Sequence, residues 1–380
     1  MIHQTPQPAF SLGSGQLIDS LATCGLLNDG KATLVVADAF WTDQPVFGQM
    51  RAALPGPATI FDQFAGEPKA AHIEAAVQMG RAAGAELVIG MGGGSALDIA
   101  KMASLCLAGG HGPMHYALGA NPVPRTTCDL IQIPTTAGTG SEANGTAIFA
   151  GADGGKLWAY GTALKPALAI LDANLLQSLP NTLKAWCGMD ALIHAFEAGT
   201  NKWANPVNTA LAIRAIELIL PALPKAIEGD AKAHEDLLLG SFFAGHAIEN
   251  TGTAIAHCAS HAMARFAPIH HGFATALAFE ATLPQVVAVP NQALDRVAAP
   301  FGLPPAALPG AITALMDALG IVRVLPDAFK GVRADALAAE MQAGANAPMR
   351  NAATFETTPE VLNTIAGTLL AYSPQDHAVA

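Results

Sequence analysis

The sequence predicts an α/β domain built on a parallel sheet, followed by an all-helical domain. Three observations carry the prediction. Short buried β-type runs alternate with helical spacing through the first half. After Leu179-Pro180-Asn181 the strand signal stops. Beyond that point, prolines fall between long apolar stretches of helical period. Strands alternating with helices indicate a parallel sheet covered on both faces. At 380 residues the chain suits two domains, each burying its own core, and the boundary is expected near Pro180, giving residues 1–180 and 181–380.

In chain order, Gly15 to Leu26, Lys69 to Ala83 and Ser95 to Leu107 have helical spacing with no internal proline. Between them Thr33–Ala37, Glu86–Met91, Leu130–Ile133 and Ala167–Leu171 read as buried strands, too short and too apolar for surface helices. In the second half, helices are expected at Thr182–Ala198, Val207–Ile219, Ala231–Glu249, Thr253–Phe266, Gly310–Leu319, Ala334–Ala343 and Pro359–Tyr372. Pro206, Pro221, Pro224, Pro268 and Pro290 are expected near the breaks, because proline belongs at helix starts and ends.

Half the residues are apolar and 13% are charged, which suits a well-buried enzyme and argues against disorder. The net charge of -11 argues against nucleic acid or an anionic membrane as a partner, since phosphate binding needs clustered Lys and Arg. Five scattered cysteines (Cys24, Cys106, Cys128, Cys187, Cys258) without a C-x-x-C read as reduced thiols in a cytosol. The opening Met1-Ile-His-Gln-Thr-Pro-Gln-Pro lacks the basic start and apolar run of a signal peptide. No uncharged apolar run reaches the length of a membrane span. A soluble, cytoplasmic protein is expected.

The chemistry concentrates in Ala254 to Phe279, where His257, His261, His270 and His271 fall within fifteen residues. Upstream, Asp190 and His194 are four apart in Gly188-Met-Asp-Ala-Leu-Ile-His194, hence stacked on one helical face, and His257 and His261 form a second such pair. A break at Pro268 lets His271 bend back toward them. One histidine alone reads as a satisfied core residue; several with an acid in apolar helices read as a metal site, since unpaired ionisable groups are costly to bury. Cys258 adjoins His257, but neighbours on a helix diverge, so it is not expected to be a ligand.

Two loops point to a nucleotide. Gly92-Gly93-Gly94-Ser95 stands between a buried strand and a helix start, where backbone N–H groups attract an anion; the alternative is a plain tight turn. The spacing is not the usual G-x-G-x-x-G. Pro134-Thr135-Thr136-Ala137-Gly138-Thr139-Gly140-Ser141-Glu142 follows the next strand and offers hydroxyls to phosphate or ribose, or else a helix cap. Asp38, ending the strand Thr33–Ala37, either caps a helix or accepts from a ribose 2′-hydroxyl; with the glycine loop it favours NAD over NADP.

Gly92-Gly-Gly-Ser-Ala-Leu-Asp-Ile-Ala-Lys101, Ile133-Pro-Thr-Thr-Ala-Gly-Thr-Gly-Ser-Glu142, Gly188 to Glu197, and His257-x3-His261-x9-His271-Gly272 occur in one order. Together they resemble the iron-dependent (group III) alcohol dehydrogenases over nearly the whole chain, most weakly after Pro290. The resemblance implies a dehydroquinate synthase-like architecture with an N-terminal dinucleotide-binding domain, a C-terminal helical metal-binding domain, and the active site between them. It implies metal ligands at Asp190, His194, His257 and His271, with His261 lining the catalytic pocket. Gly93, Gly94, Ser95, Thr135, Thr136, Thr139 and Asp38 match cofactor-binding positions, and Lys156 resembles a lysine near the nicotinamide ribose. Iron is the implied metal, zinc the next, and a homodimer or larger assembly is common among such proteins. The sequence departs from the pattern at Glu67-Pro68, where Asn-Pro is usual. It departs again at Ala143-Asn144-Gly145, expected to reshape the wall near the nicotinamide, and at His270, which replaces a proline and is expected to face outward.

Three imidazoles and a carboxylate leave a divalent ion with net positive charge and room for another ligand, so a Lewis-acid role on a small primary alcohol or aldehyde is expected, with hydride passing to or from NAD and His261 relaying a proton. The alternative is an NAD- and metal-dependent lyase of the dehydroquinate synthase type, whose phosphorylated substrates call for a basic pocket. A metallohydrolase would need an H-E-x-x-H base, which is absent from these motifs; a non-catalytic binder would leave the open metal position unused.

Overall fold

A computed structural model describes every residue except 1, 3, 28, 125–127 and 374–380, so part of the opening segment read for a leader lies outside the described residues. The strands are β1 (Ala9–Gly13), β2 (Thr33–Ala37), β3 (Ala58–Phe61), β4 (Leu87–Gly92), β5 (Asp129–Pro134), β6 (Thr146–Ala150), β7 (Lys156–Tyr160) and β8 (Leu168–Asp172). Six of them form a parallel sheet in the order β1-β8-β5-β4-β2-β3, while β6 and β7 pair as an antiparallel hairpin. The four expected strands are present to within a residue at each end. Sequence reading missed β1 and β3, the two sheet edges, because edge strands are only half covered and lack a continuous apolar run. It also missed the hairpin.

The first helices are α1 (Leu17–Thr23), α2 (Ala39–Thr42), α3 (Pro45–Ala53), α4 (Ala70–Ala82), α5 (Gly94–Gly109) and α6 (Pro113–Tyr116). Side chains alternate across each strand. Leu34, Val36 and Val88 therefore pack with α4 and α5 through Ile73, Val77, Ile99 and Met102. Val35, Ile89 and Met91 face the other way, onto Leu17, Leu21, Phe47 and Met50 of α1 and α3. Burial on both faces is why these strands read as unbroken apolar runs. Helix α1 starts two residues later than expected because Gly15 has φ +71° and its N–H, with that of Leu17, donates to Asp172 at 2.8 and 3.0 Å.

From residue 181 the described chain is helical: α7 (Asn181–Thr200), α8 (Pro206–Ile227), α9 (Ala231–Thr251), α10 (Ile255–Met263), α11 (His271–Val287), α12 (Gln292–Ala298), α13 (Leu308–Ala318), α14 (Ala334–Met341), α15 (Ala347–Ala352) and α16 (Pro359–Leu370). These enclose a core in which Phe196 of α7 meets Phe279 of α11 edge-on at 5.0 Å. Pro206, Pro268 and Pro290 fall at helix starts or breaks as expected. Pro221 and Pro224 do not: both lie inside α8, as Pro284 lies inside α11. Burial of Leu218, Ile219, Ala222, Leu223 and Ala226 around them offsets the lost backbone bonds. Helix α11 was not expected from the sequence, although its first residue is His271. No single described helix is long and apolar enough to cross a membrane; one bent pair, residues 292–301 with 305–318, passes on composition, and its apolar side chains lie in the helical core.

Candidate metal centre and cofactor cleft

Helix α7 presents Asp190, His194 and Glu197 on one buried face, at spacings of four and three residues. Glu197 is the residue that sequence reasoning missed. Its Oε2 accepts from the N–H of Ala254 and from His257 Nδ1, and its Oε1 from the N–H of Ala256, each at 2.7 Å. The carboxylate thus caps α10 from another helix and holds His257 in the first turn. That explains why α10 begins at Ile255 and not at the expected Thr253. The signal was available: a glutamate seven residues after Asp190, inside a helix otherwise apolar on that side.

Glu197 fixes His257 with Nδ1 as the donor, so Nε2 points away toward Asp190 Oδ1 at 3.5 Å. His194 is fixed the same way, its Nδ1–H donating to the Gly138 carbonyl at 3.2 Å. After the turn containing Pro268, α11 opens on His271, whose Nε2 stands 3.7 Å from Asp190 Oδ1. Gly272 permits this approach, since a Cβ there would stand 2.5 Å from the Trp186 carbonyl oxygen of α7. Gly138 is similarly required, as a Cβ would meet Cys187 at 2.9 Å.

One donor atom from each of Asp190, His194, His257 and His271 lies within 4.8 Å of the others, and three of the four residues are buried. Asp190 Oδ1 and His257 Nε2 are buried without a hydrogen-bond partner among the described residues, as is His271 Nδ1. Burial opposes the charge of Asp190, yet His194, His271 and His257 hold its carboxyl well below the usual range. Burial likewise opposes protonation of His257, but Glu197 and Asp190 pull it up to about 9. Burial pushes His194 down, and His261 and His271 well down. The carboxylates therefore demand positive charge at their focus while the other rings stay neutral, with lone pairs available. That donor set fits a divalent cation.

His261 is not one of the four; its ring stands 5.6 Å from that of His271 and is partly exposed. His270 is exposed, as expected, and its ring lies against Trp186 at 5.0 Å.

The nucleotide side follows from strand register. Ala37 pairs with Met91 and Gly92 with Pro134, so the ends of β2, β4 and β5 stand side by side. Asp38 does not cap α2; its Oδ2 accepts from the Gly93 N–H at 2.8 Å. Burial raises the pKa of this carboxyl, while the Gly93 bond opposes the rise. Helix α5 starts at Gly94 with no side-chain cap, which leaves a helix start in the crevice beyond the strand ends. Ser95 Oγ donates to the Gly66 carbonyl at 2.8 Å. Thr135 is buried and its N–H reaches the Gly92 carbonyl at 2.9 Å; Thr136 lies near Gly93, and Thr139 near Gly94, where its hydroxyl accepts from the Ser141 N–H at 3.3 Å. The two loops are locked together by α5: Ser141 Oγ donates to Asp98 at 2.6 Å, and buried Lys101 donates to Asn144 at 3.1 Å and to the Thr146 carbonyl at 2.6 Å. Asn144 is thus engaged inside the fold, bonded to Lys101 and to the Gly140 carbonyl. Lys156, at the start of β7, pairs with Glu67 at 2.9 Å.

Residues 9–173 match the family described as "Iron-containing alcohol dehydrogenase", and residues 184–365 match "Fe-containing alcohol dehydrogenase family, C-terminal". The chain is 39% identical over 215 residues to "Probable alcohol dehydrogenase EutG" of Escherichia coli, covering 56% of this chain and 54% of that protein. It is 31% identical over 344 residues to "1-propanol dehydrogenase PduQ" of Salmonella typhimurium, covering 87% and 89%. The crystal structure of sulfoacetaldehyde reductase from Bifidobacterium kashiwanohense in complex with NAD+ superposes with a TM-score of 0.89 at 24% identity, covering 98% of this chain and 99% of that one, which is a likeness of fold. The match thus spans about half the length of EutG and most of PduQ. On these grounds the chain belongs to the iron-containing alcohol dehydrogenase family.

Proposed function

We propose that the protein transfers hydride between NAD(H) and a small primary alcohol or aldehyde: the alcohol carbon gives up a hydride and its hydroxyl a proton, leaving aldehyde, NADH and H+. The observation that supports this most is the convergence of Asp190, His194, His257 and His271, joined through the Gly138 carbonyl to the loop beside the glycine turn. These four residues would hold a divalent cation, iron first and zinc next, which supplies Lewis acidity toward the substrate oxygen while the nicotinamide supplies the hydride site. Glu197 holds the ring of His257, and Gly138 that of His194, so two of the three imidazoles are oriented before any ligand arrives. Gly94, Ser95 and the start of α5 would take the pyrophosphate, with Gly93 shaping the turn. Asp38, one oxygen on Gly93, would offer the other to a ribose hydroxyl. Thr135, Thr136 and Thr139 would line the nucleotide's path, and Lys156 the nicotinamide end. His261 would carry the proton between pocket and solvent.

We further propose a division into residues 1–180 and 181–380, a cytoplasmic setting in keeping with five free cysteines, and a homodimer or larger assembly. The lyase alternative calls for several free cations in the cleft, and Lys156 is already paired. The test is metal depletion followed by Fe2+ or Zn2+ addition, with NADH formed from a panel of alcohols read by absorbance. His271→Ala should lose bound metal and turnover together. Full turnover by metal-depleted protein would reject the assignment.

A further inference from the structure

Residues 66–69 bridge the glycine loop and the β6–β7 hairpin. The Gly66 carbonyl accepts from Ser95 at 2.8 Å, the Pro68 carbonyl accepts from the Ala150 N–H at 2.8 Å, and Lys69 pairs with Ala150 in a parallel bridge. Glu67 is pinned between these ties, and its carboxylate reaches Lys156 Nζ at 2.9 Å. Lys156 is largely covered, with a side-chain exposure of 13%, while Glu67 is open at 43%. Arg265, just past the end of α10 and one turn beyond His261, donates to the Asp153 carbonyl in the hairpin turn at 3.2 Å, so the hairpin bearing Lys156 lies against the end of α10 that carries His261.

An unpaired ammonium in that place would attract a carboxylate or sulfonate on the substrate. Here the attraction is cancelled, and an anion approaching Lys156 meets the Glu67 carboxylate first. Arg265 itself is likewise engaged, with Asp153 and Glu340. We propose that Glu67 is a specificity-determining residue: by occupying Lys156 it confines the site to uncharged alcohols and aldehydes and turns away substrates bearing a carboxylate or sulfonate. This rests on the oxidoreductase reading above and names its substrate class.

The test compares butanal with 4-oxobutanoate, which has the same carbon count and one added negative charge, in Fe2+-loaded full-length protein with NADH. The variants are Glu67→Gln, Lys156→Met and the double variant. Wild type should favour butanal. Glu67→Gln should shift the kcat/KM ratio toward 4-oxobutanoate at least tenfold, chiefly through KM, and the double variant should lose that gain. Calorimetric titration of the NAD+-loaded protein with butyrate and butyramide gives a second readout: Glu67→Gln should bind butyrate at least tenfold more tightly, with butyramide unmoved. A ratio within twofold of wild type, or a gain that survives in the double variant, would overturn the proposal. If no form reduces either aldehyde, the oxidoreductase reading fails, and the butyrate titration still decides whether Glu67 screens Lys156.

Discussion

Glu197→Gln removes a charge and one acceptor while keeping size and shape. The carboxylate takes three N–H donors at 2.7 Å, two on Oε2 and one on Oε1. An amide has a single oxygen, so when it faces Ala254 and His257 its NH2 group opposes the Ala256 N–H. One charge-assisted bond is lost, about 2 kcal/mol, and two fall to ordinary strength, about 1 kcal/mol each, for roughly 4 kcal/mol in all. Loosening the partner of a metal-binding imidazole costs about 10–100-fold in metal affinity, which is roughly 1.4–2.8 kcal/mol. The remainder falls on folding through the weakened start of α10, on the order of 2 kcal/mol, or about 4–8 °C in Tm. Competition with a chelator reads the first quantity and calorimetry of metal-free protein the second. Wild-type metal affinity in Glu197→Gln, whatever its Tm, would refute the view that Glu197 orients His257.

Asp38→Gly should raise the NADP-to-NAD ratio of kcat/KM by about tenfold or more, the size of one lost charge repulsion, while lowering both activities because the Gly93 N–H loses its acceptor; an unmoved ratio removes Asp38 from cofactor choice. His261→Ala should slow turnover by about a hundredfold with metal content unchanged, since the ring stands outside the four-residue cluster; metal loss would make it a ligand. Glu142 is buried with Oε1 unpaired, and burial pushes its pKa up to about 7 from 4.5. A raised carboxyl favours the folded state at low pH, and that contribution is lost as pH rises from about 4.5 through 7, on the order of 3 kcal/mol. Glu142→Gln should therefore gain Tm over wild type progressively across that range; a difference constant with pH would contradict it.

The sheet's centre was legible because β2, β4 and β5 are covered on both faces, and such strands announce themselves as apolar runs. The edges β1 and β3 and the hairpin were not, since half-covered strands carry a diluted signal and are defined by partners far along the chain. Asp190 and His194 were legible from their helical spacing among apolar residues, but the same spacing paired His257 with His261, and the family resemblance put His271 in the set in place of His261. Glu197 lies on the same helical face, but its role depends on the start of α10, some sixty residues on, which local spacing does not reveal. Prolines misled where burial outweighs backbone loss, at Pro221 and Pro224 in α8. The ion pair of Glu67 with Lys156 joins positions with no sequence relation at all.

The β6–β7 hairpin stands outside the main sheet, tied to it through Asp98, Lys101 and residues 68–69. Among the described residues it contributes no donor atom to the cluster. Evolution, or a protein engineer, can therefore recast the hairpin's side chains as a replaceable module while Asp190, His194, His257 and His271 are inherited intact.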